Sequence, residues 1–332
     1  MHTTLLPTLR LRRSAALLFG PLAMLSACGG GSSAPSSSAA GTASLPAAQA
    51  SIVAEIPASV TGMEPLQIAT DASYAPNEYV DASTGALTGW DLQLATDVCA
   101  VLGQHCTINN VTFSDIIPAL LESPPKYVMS FSSYTPTAQR EQSGIDFITY
   151  YQAGESWLAK VGGPTITHAA QMCGHSVAVE AGTVEESDAW GYMGKKPGGD
   201  PISGDTDNCT TAGLQDITVD SFQTQTEANA ALLSGRADFG WADQPVADYQ
   251  VKLNPGKLKI SGQPCSIYPY GVAVVKTLGF DKAIEDAISY LITHGYYTQI
   301  LKSYNVSDGA VPASAVGVND NNPVGSTCVP SY

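Results

Sequence analysis

The chain has 332 residues, with thirty acidic side chains against fifteen basic ones and a formal net charge of −15. At roughly 150 residues per domain, this length suggests two domains. Hydrophobic residues make up 44% and charged residues 14% of the chain, which excludes a largely disordered protein. The acidic excess argues against nucleic acid and against charge-driven binding to anionic membranes, because both require a basic surface.

The N-terminus has the pattern of an export signal. Three arginines within residues 10–13 precede a short apolar stretch that ends in small residues before Cys28. This pattern resembles the bacterial lipoprotein box, so we expect a signal peptide over residues 1–27 and a lipid on Cys28. The alternative is an ordinary signal peptide with an incidental cysteine. A stretch rich in Gly, Ser, Ala and Pro follows, and residues 28–63 are expected to form a flexible tether.

Six cysteines remain after Cys28, and an even number in an exported chain is typical of disulfides. Many connectivities are possible, and we favour pairing neighbours in chain order: Cys99 with Cys106, Cys173 with Cys209, and Cys265 with Cys328. The alternative of a metal site finds no support, because the sequence has no CxxC motif and no close Cys/His cluster. Neither a metal nor another cofactor is therefore expected.

Strands and helices alternate along the middle of the chain. Hydrophobic alternation predicts strands at 66–70, 106–111, 128–131, 157–161, 176–180, 237–241 and 271–276. Helical spacing predicts helices at 90–102, 114–121, 224–233, 281–293 and 296–304, and a further helix after residue 183. This order indicates an α/β fold with largely parallel sheets.

Four residues follow predicted strands directly: Asp71, Ser133, Gly182 and Asp243. Ligands of such folds bind beyond the carboxyl ends of the strands. These four residues are therefore expected to face one crevice.

Eight segments in order resemble the family-3 extracellular solute-binding proteins of ABC importers. They are Leu66–Val80, Gly89–Gly103, Phe113–Ser123, Ser132–Tyr151, Val177–Thr183, Ser234–Tyr249, Tyr270–Lys276 and His294–Val306. The resemblance covers roughly residues 64–306. The chain departs from the family pattern at Val128, where an Asp is common, and in the extra tail after Val306.

The resemblance implies a two-lobed periplasmic-binding-protein fold of type II. The first lobe would contain residues 64–153 and 268–305, and the second lobe residues 154–267. Residues 306–332 would form a C-terminal tail. Two hinge crossings would join the lobes, and the ligand would be enclosed between them.

Arg140 offers a planar set of donors that matches a carboxylate. In the resembled family this arginine holds the α-carboxylate of the ligand, helped by the positions of Ser133 and Thr135. The alternative is a surface arginine paired with Glu141. The start of the following helix, Gly182-Thr183-Val184, would add N–H groups as a second clamp on the carboxylate.

Asp243 matches the family position that holds the α-amine, although it could instead cap the helix that begins at Gln244. Asp71, Tyr74, Phe113 and Glu180 match positions around the ligand side chain. The two rings would form flat walls, or else belong to the core. The two carboxylates would suit a cationic or amide head, unless Glu180 is a solvated strand end.

The sequence thus indicates a binding protein for a polar or basic amino acid rather than an enzyme. Its expected partners are the amino acid, the transmembrane subunits of an ABC permease, and the membrane through the lipid alone. We expect a monomer in the cell envelope. Two alternatives remain open: a cyclohexadienyl-dehydratase-like enzyme with an acid among Glu180, Glu185 and Glu186, and a sensor module that acts through a separate partner.

Overall fold

The computed structural model describes residues 45–329. The expected signal peptide and the lipidation site at Cys28 lie outside the described residues. The strands are β1 (Leu66–Thr70), β2 (Ser73–Tyr74), β3 (Glu78–Val80), β4 (Leu87–Thr88), β5 (Cys106–Asn110), β6 (Met129–Tyr134), β7 (Ile145–Lys160), β8 (Ser176–Glu180), β9 (Thr218–Phe222), β10 (Phe239–Asp243) and β11 (Leu258–Val275). The helices are α1 (Ala50–Val53), α2 (Ala58–Thr61), α3 (Trp90–Val101), α4 (Phe113–Leu120), α5 (Ala138–Gln142), α6 (Val184–Gly191), α7 (Asn208–Thr211), α8 (Gln225–Ser234), α9 (Gln244–Leu253), α10 (Asp281–Thr293) and α11 (Tyr296–Tyr304).

Eight strands form one mixed sheet in the order β5-β1-β6-β11-β7-β10-β8-β9, and β2, β3 and β4 form a small antiparallel sheet. β1 runs parallel to β5 and β6, and β8 runs parallel to β9 and β10. The long strands β7 and β11 pair antiparallel with each other and with their outer neighbours. The predicted parallel arrangement therefore holds within each half of the sheet but not across its middle.

β7 and β11 contain 16 and 18 residues, and both run through the whole molecule. The sequence pattern predicts only the ends of these strands, at 157–161 and 271–276. The middle of β11 contains polar residues, and its register against β7 shifts between Ser261 and Gly271. These irregular middle segments interrupt the hydrophobic alternation, which explains why the pattern predicts shorter strands.

The hydrophobic side chains form two main cores, one on either side of this middle region. The first core collects residues from Ile52 to Ala153 and from Tyr270 to Val316. The second core collects residues from Trp157 to Cys265, with Cys328 and Val329 from the tail. The elements around each core form one lobe, and β7 and β11 are the two crossings between the lobes. This is the predicted two-lobed α/β fold.

Residues ahead of position 64 also belong to the first core. Ile52 of α1, Val60 of α2 and Ile56 between the two helices are buried there, although the sequence pattern assigns these residues to the tether. The two helices are only four residues long and Pro57 separates them, so the sequence shows no sustained helical period here. Within residues 45–329, no helix has both the length and the apolarity needed to cross a bilayer.

Three disulfides join the six cysteines as neighbours in chain order. Cys99–Cys106 connects the end of α3 to β5, and Cys173–Cys209 lies within the second lobe. The third disulfide attaches the C-terminal tail to β11, through Cys265 and Cys328. Each pair closes a loop of the chain and so restricts the unfolded state.

Candidate functional site

A narrow cavity lies between the two lobes. It forms because β1 and β6 end at one edge of the first lobe, and β8 and β10 end at the facing edge of the second. Ten of the eleven predicted binding residues line it: Asp71, Tyr74, Phe113, Ser133, Thr135, Arg140, Glu180, Thr183, Val184 and Asp243. Three further lining residues were not predicted as ligand contacts: Glu78, Ser132 and Glu185.

Arg140 projects from α5, whose first turn is capped by the Thr137 hydroxyl. The guanidinium donates to the Thr135 carbonyl at 2.6 Å and, across the cleft, to the Gly182 carbonyl at 2.8 Å. A guanidinium has five N–H groups, so donors remain for a ligand carboxylate. Glu141, the alternative partner of Arg140, instead accepts a hydrogen bond from the Asn321 amide.

The segment from Gly182 to Val184 reaches the cleft at the start of α6. Thr183 caps the helix by accepting from the Glu186 N–H. The Gly182 N–H, however, donates to the Glu186 carboxylate at 2.7 Å. Gly182 therefore contributes its carbonyl to Arg140, and its own N–H is already occupied in this arrangement.

Gly182 also permits a close approach between the lobes. Its φ is +86°, and a Cβ on this residue would lie 3.3 Å from the Ser114 backbone of α4. Because only glycine adopts this conformation without cost, the tight contact of the two cleft walls depends on it.

Asp243 ends β10 and stands at the N-cap position of α9, but its side chain makes no cap hydrogen bond. Its carboxylate instead accepts from the Tyr74 hydroxyl, at 3.1 Å, across the cleft. Burial raises the pKa of Asp243 to about 6. A positively charged group beside it would favour the ionised form, which is the chemistry of an amine site.

Glu185 lies beside Asp243 in the first turn of α6 and is only 1% exposed. Burial, followed by the nearby charge of Asp243, raises the pKa of Glu185 well above its ordinary value. A sequence signal for this contact exists. Glu185 comes two residues after Thr183, in the first turn of a helix that begins at the cleft. Together the two carboxyl groups form an acidic corner opposite Arg140.

Further carboxyl groups, beginning with those of Asp71 and Glu180, also line the cavity. Asp71 accepts the Phe113 N–H at 2.7 Å, and Glu180 accepts the Ser73 hydroxyl at 3.3 Å. Burial raises the pKa of both carboxyls, and the charge of Asp71 raises that of Glu180 further. Glu180 is 2% exposed, so it is not the solvated strand end considered as an alternative.

Glu78 adds a third carboxyl to this set, hydrogen-bonded to the Ser133 hydroxyl at 3.2 Å. The Ser133 N–H donates to Asp91, and its φ of +53° is unusual for a serine. Burial and then the charge of Asp91 raise the pKa of Glu78 well above its ordinary value, while burial raises that of Asp91 to about 7. A strained serine thus contacts both acids, of which Glu78 lines the cavity.

Tyr74 and Phe113 form the flat walls of the cavity. Phe113 stacks on Tyr134 with ring centroids 4.4 Å apart, and the Arg140 guanidinium lies 5.0 Å from the Tyr134 ring. Both cavity rings are more than nine-tenths buried. Phe113 packs in the first core, and Tyr74 packs in a small hydrophobic cluster with Ala242 and Val246. They are therefore core residues and cavity walls at the same time.

Among the described residues that line the cavity, five carboxyl groups stand against the one guanidinium of Arg140. The five are Asp71, Glu78, Glu180, Glu185 and Asp243. Buried carboxylates are costly unless a cation or donors compensate them. The cavity is therefore suited to a molecule that carries more positive than negative charge.

The sequence profile of the bacterial extracellular solute-binding proteins, family 3, matches residues 66–307. The arginine-binding protein ArgT of Corynebacterium glutamicum is 25% identical over 251 residues, which cover 76% of this chain and 77% of that protein. A solved ancestral arginine-binding protein bound to arginine is 28% identical, with a TM-score of 0.61, and the match covers 72% of this chain and 97% of that one. A solved ancestral amino acid-binding protein, a precursor of cyclohexadienyl dehydratase, is 25% identical with a TM-score of 0.60, covering 74% and 97%. The matched profile spans most of the two-lobed fold, and the chain accordingly belongs to the family 3 bacterial extracellular solute-binding proteins.

Proposed function

We propose that this protein captures a free amino acid with a cationic side chain and delivers it to an ABC importer. The observation that carries the proposal is the placement of Arg140 and Asp243 on opposite lobes, facing one cavity. Arg140 binds the α-carboxylate, and Asp243, with Glu185 beside it, binds the α-amine. The two charged ends of an amino acid backbone thereby hold the lobes together.

The side-chain end of the ligand meets Asp71, Glu180 and Glu78. A guanidinium or ammonium there offers several N–H donors to these carboxyls and offsets their mutual repulsion. The arginine-binding relatives support a basic ligand. A polar neutral amino acid is the weaker candidate, because it leaves the acids uncompensated.

Capture requires hinge closure, since a ligand shifts a population only by binding the closed state better than the open one. We propose lobe boundaries between residues 153 and 154 and between 267 and 268. These boundaries lie between the two cores, in the middle of β7 and β11. Direct contacts across the cleft, such as that of Arg140 with Gly182, support a closed arrangement.

The cellular setting belongs to the same proposal. The signal pattern before Cys28 supports cleavage ahead of this cysteine and a lipid anchor on it. The mature monomer would then stay at the cell envelope beside the transmembrane subunits of its permease. Export is consistent with the three disulfides, which persist in oxidising compartments.

Calorimetric titration with the twenty amino acids, ornithine, citrulline and agmatine tests the proposed function. Citrulline has nearly the shape of arginine without the charge, and agmatine is arginine without the carboxylate. We expect arginine to bind at least about tenfold more tightly than either, a difference of about 1.4 kcal/mol or more. Equal binding of citrulline would overturn the cationic assignment alone, whereas failure of all amino acids to bind would overturn the function.

An enzyme on the same fold is the second candidate. The two observations that favour it are the buried acids Glu180 and Glu185, whose pKa values burial raises, and the similarity to a precursor of cyclohexadienyl dehydratase. Its test is turnover of prephenate and of arogenate, followed by absorbance of the aromatic product. Turnover that Glu180→Gln or Glu185→Gln abolishes would favour the enzyme, and no turnover at high protein concentration would exclude these two substrates.

A further inference from the structure

The C-terminal tail crosses from the first lobe to the second, and we call its residues 316–329 the strap. At its start, Val316 is buried in the first core. Asn319 then exchanges hydrogen bonds with Phe147 of β7: its N–H donates at 2.8 Å and its side-chain oxygen accepts at 2.9 Å. Asn321 donates at 2.9 Å to Glu141, which neighbours Arg140 on α5. This half of the strap is fixed to the first lobe.

The other half is fixed to the second lobe and to the crossing strand β11. The Val324 N–H donates to the Ile267 carbonyl at 2.7 Å. Ser266 donates its N–H to the Ser326 carbonyl and accepts the Cys328 N–H on its hydroxyl, both at 2.8 Å. Cys328 is also bonded to Cys265, and it lies in the second core.

Only two residues, Asn322 and Pro323, separate the anchor at Asn321 from the anchor at Val324. Since an extended chain spans at most about 3.3–3.6 Å per residue, this link has little slack. Both residues are exposed, so packing does not hold them in place. Asn322 and Pro323 therefore form a short connection between two fixed ends of the strap.

The second anchor coincides with the irregular part of the crossing. Ser266 has a φ of +48°, and the register of β11 shifts on either side of it. Hinge motions concentrate in a few residues that absorb changes of φ and ψ. A strap bonded to Ser266 and Ile267 therefore acts on the residues that must move when the cleft opens.

We propose that the strap is a third crossing between the lobes, and that the Cys265–Cys328 disulfide holds it so that the ligand-free protein is biased towards the closed arrangement. Loosening the strap increases the open fraction. The apparent dissociation constant rises in proportion as the closed, binding-competent fraction falls.

The sharpest test loosens the link and keeps both anchors and the disulfide. Insertion of Gly-Ser-Gly-Ser between Asn322 and Pro323 is compared with the same insertion between Pro197 and Gly198, an exposed loop of the second lobe. In small-angle scattering of the ligand-free proteins, we expect a larger radius of gyration for the strap insertion only. A radius of gyration equal to that of the wild type and the control would overturn the proposal.

Removal of the Cys265–Cys328 disulfide is a second test of the same proposal. Cys265→Ala with Cys328→Ala should also enlarge the ligand-free protein, whereas Cys173→Ala with Cys209→Ala should lower thermal stability without that expansion. If both pairs leave the radius of gyration unchanged, the third disulfide is only a structural link and the proposal fails. These scattering experiments need no ligand and stand apart from the proposed function.

The affinity for a ligand provides a third test. Of the three tests, this is the one that rests on the proposed function. For the amino acid that binds most tightly, we expect the strap insertion to weaken binding about fivefold or more, the lower end of ordinary coupling between distant sites. Unchanged affinity together with an expanded ligand-free protein would refute the bias towards closure.

Discussion

Tyr74 and Asp243 bond to each other twice across the cleft. The Tyr74 hydroxyl donates to the Asp243 carboxylate at 3.1 Å and accepts the Asp243 N–H at 3.0 Å. Tyr74 belongs to β2 of the first lobe, and Asp243 ends β10 of the second. The carboxylate proposed to bind the α-amine is therefore also a contact that holds the lobes together.

Tyr74→Phe removes both hydrogen bonds and keeps the ring as a cavity wall. Each bond is worth roughly 0.5–1.5 kcal/mol, so affinity should fall by about tenfold for every amino acid that binds. The ranking of ligands should stay the same, because the hydroxyl contacts a backbone-binding group. Calorimetry with arginine and glutamine measures both quantities, and a changed ranking would contradict the proposed role of Tyr74.

Arg140→Ala should weaken amino acid binding by about 10- to 100-fold or more, because a hydrogen bond to a charged group contributes roughly 1.5–3 kcal/mol. Arg140→Lys keeps the charge but loses the planar pair of donors, and it should recover only part of the affinity. Agmatine, which has no carboxylate, should be nearly insensitive to either change. If Arg140→Ala binds arginine as tightly as the wild type does, the carboxylate site is wrongly assigned.

Asp71→Asn should affect cationic ligands selectively. Asparagine can still accept the Phe113 N–H, so the local backbone contact is retained. Without the charge, arginine, lysine and ornithine should lose about tenfold in affinity or more, and glutamine and citrulline much less. Competition titration gives the ratio of arginine to citrulline affinity directly, and a ratio equal to that of the wild type would refute a side-chain role.

Asp243→Asn should weaken binding and stabilise the ligand-free fold at neutral pH. Burial raises the pKa of Asp243 from 3.8 to about 6, so the folded state binds more protons than the unfolded state between these values. The free energy of unfolding of the wild type therefore falls as pH rises through this window. Asparagine cannot ionise, so the free energy of unfolding of the variant does not decrease in this way. The decrease in the wild type amounts to at most about 3 kcal/mol.

Urea denaturation of the two ligand-free proteins at about pH 7.5 and about pH 4.5 checks this prediction. The advantage of Asp243→Asn should be present at the higher pH and shrink at the lower one, where the aspartate is protonated in the folded state. Identical pH profiles for the two proteins would show that Asp243 keeps an ordinary pKa.

Cys28→Ala should block lipidation and leave uncleaved or mislocalised protein. The sulfur of Cys28 is the proposed attachment point, and alanine has no sulfur that could carry the lipid. Metabolic labelling with a fatty acid and fractionation of the cells measure both effects. Recovery of the variant in the membrane fraction at the wild-type level would rule out the lipid anchor.

The strand ends were the most predictable part of the site. Asp71, Ser133 and Asp243 each follow a predicted strand, and the rule that ligands bind at the carboxyl ends of strands places them together before the structure is known. Arg140 lies in a loop and was recognised only through the family pattern. Local periodicity alone would not have placed it at the cleft.

Glu78 and Glu185 were missed as ligand contacts for a physical reason. Neither directly follows a strand of the main sheet, and Glu78 contacts Ser133, which is distant in the sequence. Glu78 reaches the cavity through the small β2-β3-β4 sheet, which the sequence pattern does not indicate, and its neighbour Ser133 comes from β6. Such contacts depend on tertiary packing between distant segments, and hydrophobic spacing carries no information about them.

The place of β11 in the sheet has a consequence for a chain that is made from its N-terminus. β11 lies between β6 and β7, so the first core lacks its middle strand until residue 275 has been synthesised. α10 and α11 cover that core and arrive later still. The second lobe, although encoded within the first, can complete its main sheet earlier. A partly made chain therefore cannot close its first lobe, whose core stays incomplete until β11, α10 and α11 have all been made.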